Sequence, residues 1–233
     1  DEANRLKYLT LAKSGYEFLK EHSFLPSGHS AFLLDRYGAP KEPVPGGGYD
    51  TSTYADCFVV LGFSRYGAVK QDGKALDLAL RLWESVIKRV AKNRFRTEPE
   101  PLPQNYRAHG IPMILLNTGL ELHKTCQLLK HPAQGEVASS CNGFANDIVN
   151  IYMEEDGIVK ELVHEDIVDD PCILGRYINP GHSLESMWFL MHYALELGGE
   201  CKGEIIRRAC QAVIQAFQLG WDDEYGGILR FVD

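Results

Sequence analysis

In the run Asn179-Pro180-Gly181-His182-Ser183-Leu184-Glu185-Ser186-Met187-Trp188-Phe189-Leu190, an imidazole and a carboxylate stand at the mouth of an otherwise apolar segment. Pro180 and Gly181 close an irregular stretch and Ser183 offers a capping hydroxyl. The pattern predicts a helix from about His182 or Ser183 to Gly198-Gly199. A helix N-terminus disfavours added positive charge on the imidazole, whereas a carboxylate at i+3 favours it. An imidazole balanced in this way exchanges protons near neutral pH, as a general acid/base must. The same residues suit a plainer role, with His182 as a structural histidine and Glu185 as a first-turn partner of the helix dipole. With roughly 100° of rotation per residue, Leu184, Trp188, Met191 and Leu195 form one packing stripe. His182, Glu185 and Phe189 then gather on the opposite, working face.

The elements that must position this pair come from a chain of 233 residues, 45% hydrophobic, with a formal charge of −8. That balance describes an ordinary globular protein with ample sequence for a core. Its acidity argues against nucleic acid as a partner, since Lys and Arg are interleaved with acids, and favours neutral or weakly charged small molecules. No apolar run approaches the roughly 18 residues of a membrane span, and Asp1-Glu2-Ala3-Asn4 lacks a signal peptide's basic start. The expectation is a cytoplasmic protein without a membrane partner. Six cysteines show no CxxC and eight histidines no HExxH, so reduced thiols and no metal are expected.

Hydrophobic periodicity predicts seven helices, at roughly 4–22, 51–70, 74–93, 111–129, 135–153, 182–198 and 204–219. Short strands sit between some of them, at Phe32-Leu33-Leu34, within 156–163, and in the C-terminal stretch 220–233. Gly46-Gly47-Gly48 has no following GK[ST], so a turn is expected there and not a phosphate loop. Pro99, Pro101 and Pro103 make a loop that ends in Asn105-Tyr106-Arg107-Ala108-His109-Gly110. No composition shift marks a second domain. Consecutive antiparallel helices suggest repeated helical hairpins, an all-α arrangement that can curl into a ring with inner-helix N-termini at a central cavity.

Tyr54-Ala55-Asp56-Cys57-Phe58 with Gly62, Pro112-Met113-Ile114-Leu115-Leu116-Asn117, the block from Gly175 to Glu185 with Trp188-Phe189-Leu190, and Trp221-Asp222-Asp223-Glu224-Tyr225-Gly226-Gly227-Ile228 follow one another along the chain. Together, in that order, they resemble the N-acylglucosamine 2-epimerase family, also known as renin-binding protein. The resemblance implies an (α/α)6 barrel, a toroid of helical hairpins. It also implies a reaction in which one base removes the C2 proton of an opened sugar and a second acid returns a proton to the other face. His182 would be one of that pair and Glu185 its supporting carboxylate. Tyr54, Asp56, Arg107, His109, Arg176 and Asn179 would line the pocket. A sugar substrate is implied, with no required cofactor. A nucleotide (ATP) activator and a homodimer are compatible with the family.

Relatives acting on disaccharides, or interconverting aldoses and ketoses, place a histidine where this chain has Met113, so the N-acylhexosamine branch is the nearer match. The family's second catalytic histidine and its substrate-binding arginine belong to C-terminal and N-terminal segments with no counterpart here. One domain, partly covered and incomplete at both ends, is therefore expected. Two other readings stay open. One is a non-catalytic sugar- or protein-binding member. The other is a different (α/α)-barrel enzyme, such as an aldose–ketose isomerase or a glycoside hydrolase using Asp56 with Glu185. Structural roles also stay open for single residues: Arg107 and Arg176 paired with Glu100 or Asp169-Asp170, His109 as a loop histidine, and Trp188 and Trp221 as core.

Overall fold

The computed structural model describes residues 2–233, and helices dominate it. In chain order the elements are α1 (Glu2–His22), β1 (Leu33–Leu34), β2 (Pro40–Lys41), α2 (Thr53–Lys70), α3 (Gly73–Ala91), β3 (Tyr106–Ala108), α4 (Gly110–Leu128), α5 (Gln134–Asp147), β4 (Leu162–His164), α6 (Ile173–Arg176), α7 (Pro180–Leu197) and α8 (Lys202–Gly220). The seven long helices are those the periodicity predicts, and α6 is a single added turn. Among the described residues, no helix is long and apolar enough to cross a membrane. Contacts divide the chain into two compact units. The first runs from the N-terminal helix to Pro101 and includes Glu121–Gln134; the second comprises Leu102–Leu120 and Gly135–Asp233.

In the first unit, α3 begins where the Asp72 carboxylate accepts hydrogen bonds from the backbone N–H of Lys74 (2.9 Å) and Ala75 (3.3 Å). Such a cap stabilises a helix by about 1 kcal/mol. Its Leu76, Ala79, Trp83 and Val86 recur at helical spacing and bury against α2, which contributes Cys57, Val60 and Phe63. Each large apolar side chain buried there contributes about 1.5–3 kcal/mol. The helices approach closely at Gly67, where a Cβ would lie 3.2 Å from the Asp72 carbonyl oxygen and 3.4 Å from Leu76 N. Tyr16 ties α1 to the pair by stacking on Tyr66 at 4.2 Å and meeting Phe63 edge-on at 4.9 Å.

In the second unit, β3 and β4 pair antiparallel with Arg107 opposite Val163, and β3 leads into α4. Helix α5 ends sooner than the periodicity predicts, because residues Ile148–Tyr152 widen into a π-helical turn. The α7·α8 pair forms the main packing of this unit. The buried residues of α7 are Pro180, Ser183, Ser186, Met187, Phe189, Leu190, Tyr193 and Ala194, and those of α8 are the small Ala209, Ala212, Ala216 and Gly220. Small side chains on one helix let the other lie close against it.

This face differs from the predicted stripe. Trp188 and Leu195 are 54% and 58% exposed, and Phe189, expected on the free side, is buried. Helix α7 is apolar nearly all round, so periodicity could not rank its faces, and the fit to the small residues of α8 decides which one packs. Trp221 likewise lies outside the core, 42% exposed and stacked on Phe217 at 5.2 Å.

Gly220 is the tightest point of the pair. A Cβ there would fall 2.4 Å from Pro180 Cβ and 2.7 Å from Pro180 Cγ, at the first residue of α7. Gly220→Ala should therefore push the start of α7 away and cost about 1–3 kcal/mol. Gly203→Ala, on the same helix with nothing within 4 Å of its Cβ, should cost nothing. Urea unfolding of both variants is the check, and equal midpoints would refute the packing argument.

Candidate active site

Asn179 starts α7. Its backbone is extended (φ −106°, ψ 95°), its Oδ1 accepts from His182 N at 3.1 Å, and its carbonyl accepts from Ser183 N at 3.0 Å and Ser183 Oγ at 3.1 Å. Pro180 follows at the first helical position, where a missing N–H costs nothing. Asn179 is thus the cap in place of the expected Ser183, and it is only 7% exposed. The cap fixes His182 in the first turn, where its side chain keeps 38% of its surface in solvent.

The β3–β4 strand pair supplies the partners, from the residue after β3 and the residue before β4. His109 N donates to the Glu161 carbonyl at 2.9 Å, continuing the ladder one step and holding both side chains on one edge. Glu161 Oε1 lies 2.9 Å from His182 Nδ1, and Glu161 Oε2 lies 3.9 Å from His109 Nδ1, beyond hydrogen-bond length. His109 Nε2 in turn meets Ser186 Oγ at 2.9 Å. Exposure falls along this series, from 38% for His182 to 12% for Glu161 and 1% for His109.

Burial alone would raise the pKa of Glu161. The histidines His109 and His182 outweigh that and hold it below the ordinary carboxylate value. Glu161 is therefore ionised at neutral pH and can only accept, which places the proton of neutral His182 on Nδ1. Nε2 is then the nitrogen that gains and loses a proton. Beside this series, the Tyr152 ring lies 5.5 Å from that of His109. Burial raises the pKa of the Tyr152 phenol, an effect partly offset by Arg107.

The predicted residues fare differently. His182 and His109 come together, and Arg107 stands nearby on β3, half-exposed and 3.8 Å from Asp147. Glu185 is exposed, and the carboxylate hydrogen-bonded to His182 Nδ1 is Glu161. The i+3 spacing is right for a helix pair, but Nδ1 of the His182 ring meets the residue just before β4. Asn179 caps, and Arg176 pairs with Asp233 at 2.9 Å, a structural partner other than those expected. Tyr54 and Asp56 belong to the first unit. Asp56, 2% exposed, takes Arg89 at 2.5 Å and the Ser30 backbone N–H at 2.6 Å, one on each oxygen. Both oxygens thus carry a structural hydrogen bond within the first unit. Tyr54 is half-buried in the first turn of α2.

Glu161 and Ser186 escaped the sequence reading. A carboxylate between Lys160 and Leu162, just before β4, carries no motif, whereas Ser186, at i+4 from His182, shares its helix face and was legible by spacing. Among the described residues, no group of three or more His, Cys, Asp or Glu side chains is placed to hold a metal ion.

The family model described as N-acylglucosamine 2-epimerase (GlcNAc 2-epimerase) matches residues 5–233. The chain belongs to the N-acylglucosamine 2-epimerase family. It is 27% identical to the N-acylglucosamine 2-epimerase of Bos taurus over 98% of its own length and 52% of that protein's. To that of Mus musculus it is 28% identical, covering 98% and 53%. It spans about half the length of the curated relatives it matches. Among solved structures, a sugar epimerase from a ruminal bacterium superposes with a TM-score of 0.72 at 22% identity, over 97% of this chain and 58% of that one. The cellobiose 2-epimerase from Bacillus thermoamylovorans B4167 superposes at 0.69 and 17% identity, over 99% and 61%. The fold class of this family member is the (α/α)6 barrel, covered in part.

A carboxylate held ionised by folding stabilises the native state above its ordinary pKa, and that contribution is lost as pH falls through its lowered folded value. Glu161→Gln should therefore be less stable than the wild type at pH 7, by about 1–3 kcal/mol. The difference should fade in acid, below the lowered value. Urea midpoints measured from neutral pH downward test this, and a pH-independent difference would contradict the charged pairing.

Proposed function

We propose that this chain acts on the C2 centre of an N-acylhexosamine, interconverting the N-acylglucosamine and N-acylmannosamine configurations, with His182 as a proton-transfer group. The observation that carries the reading is the His182–Glu161 hydrogen bond at the capped start of α7, within the family's most specific sequence block. In the opened sugar, the C2 proton lies next to the C1 carbonyl. His182 Nε2 takes that proton and becomes imidazolium, while the electron pair moves into an enediolate. A second acid, which the family pattern places outside the residues of this chain, returns a proton to the opposite face of C2 and completes the inversion. Glu161 stabilises the imidazolium and fixes the tautomer, as a carboxylate behind a catalytic histidine does.

Met113, 5% exposed, occupies the position where disaccharide-acting relatives carry histidine, which supports the N-acylhexosamine branch. The family match runs unbroken through both units and supports one domain. The reaction as drawn uses no cofactor, since the substrate's own carbonyl stabilises the carbanion. ATP activation, a homodimer and a cytoplasmic location are the parts of the family pattern that remain proposals for this chain. Arg107, half-exposed on β3 in the same unit as His182, is the proposed sugar-facing residue.

Incubation with N-acetylmannosamine and N-acetylglucosamine in heavy water, followed by proton NMR, should show loss of the C2 proton signal and conversion between the sugars. His182→Ala should lower the exchange rate by about 10²–10⁴-fold. Retained exchange in that variant would remove His182 from the chemistry, and a wild-type chain that exchanges neither sugar would sink the activity.

A further inference from the structure

Glu161 has two oxygens, and each faces an imidazole. Oε1 is bound to His182 Nδ1 at 2.9 Å, while Oε2 is approached by His109 Nδ1 at 3.9 Å. The far side of the His109 ring is held by Ser186 Oγ at 2.9 Å. Ser186 lies one helical turn after His182, so contacts close a ring: α7, His182, Glu161, His109, Ser186 and back to α7. A histidine kept only for packing would satisfy both ring nitrogens; His109 Nδ1 is buried without a hydrogen-bond partner and points at a carboxylate. A movement of about 1 Å would bring it to hydrogen-bond length.

We propose that His109 is a positioning residue for proton transfer at His182, acting through Glu161, with Ser186 fixing the ring that faces the second carboxylate oxygen. The inference rests on the reading of His182 as the proton-transfer group. When His182 is imidazolium, its own charge compensates Glu161. When it is the neutral base, the buried carboxylate loses that compensation, and His109 Nδ1 supplies a donor to the other oxygen. His109 thereby stabilises the neutral form of His182, the form that accepts the C2 proton.

The other ionisable groups beside the three are Tyr152, Arg107 and Asp147. Tyr152 is pushed above its ordinary value by burial, and Arg107 sits opposite Asp147 at 3.8 Å. Glu161 stays ionised. A pH-dependent response of His182 near neutrality therefore reports on the two imidazoles and the carboxylate between them.

Two substitutions at one position separate this role from packing. In His109→Asn, the amide nitrogen stands near the place of Nδ1 and still faces Glu161. In His109→Gln, it stands near the place of Nε2 and reaches only Ser186. The titration of the His182 ring, followed by NMR on the full chain with labelled histidine, should move up by about half a pH unit or more in His109→Gln. It should stay near the wild-type position in His109→Asn. Ser186→Ala, which loosens the ring from its other end, should move it in the same upward direction. Equal titration in wild type and both His109 variants would make His109 a plain core histidine. Equal shifts in the two His109 variants would assign the effect to packing, and either result overturns the proposal. The titration needs no substrate, so it stands apart from whether the chain turns over a sugar.

Discussion

An ionised carboxylate almost out of water is the constraint that the second unit is built to meet. Removing a carboxylate from water is costly unless partners replace the lost hydration. Glu161 is 12% exposed, and His182 and His109 face its two oxygens. Those imidazoles come from elements far apart in sequence, so the α7 start and the β3–β4 strand pair must be held in fixed register. The strand pair achieves its part through the His109 N–H bond to the Glu161 carbonyl, which locks the spacing of two of the three side chains through backbone alone.

The third side chain depends on how α7 begins. Asn179 caps it, Pro180 pre-sets its first turn, and Gly220 of α8 leaves room for the proline ring. The small residues of α8 let α7 lie close along its length, so the helix carrying His182 and Ser186 has little freedom to rock. Catalytic groups tolerate displacements of well under 1 Å before rates fall, and sites on packed helices hold that tolerance better than sites on loops. The row Ala209, Ala212, Ala216 and Gly220 therefore acts on the chemistry from outside it.

What the sequence reveals follows from which signals are local. The cap region and His182 are legible, because Pro, Gly, Asn and Ser act on neighbours within a turn. The seven long helices are legible from apolar spacing. The packed face of α7 is not, because a helix apolar all round has no preferred side until its partner helix is known. Glu161 is invisible for a related reason: its role comes from a contact 21 residues away with His182, while Glu185, three residues away, satisfies every local rule and yet points to solvent. The family resemblance narrows the reaction, but it could not show which carboxylate meets the histidine.

The two buried acids of this chain show why burial and pairing alone do not identify a functional group. Asp56 is bound by Arg89 and by a backbone N–H, and neither partner changes charge at any pH the folded protein meets. That pair has one state, and it fastens α2 to α3. Glu161 is also buried, yet its partners are imidazoles, a side-chain type that can either carry or release a proton. An acid compensated by arginine is a fixed bond, whereas one compensated by histidine can respond to its partner's protonation state. The identity of the cation, more than the depth of the carboxylate, is what distinguishes Glu161 of the candidate site from Asp56.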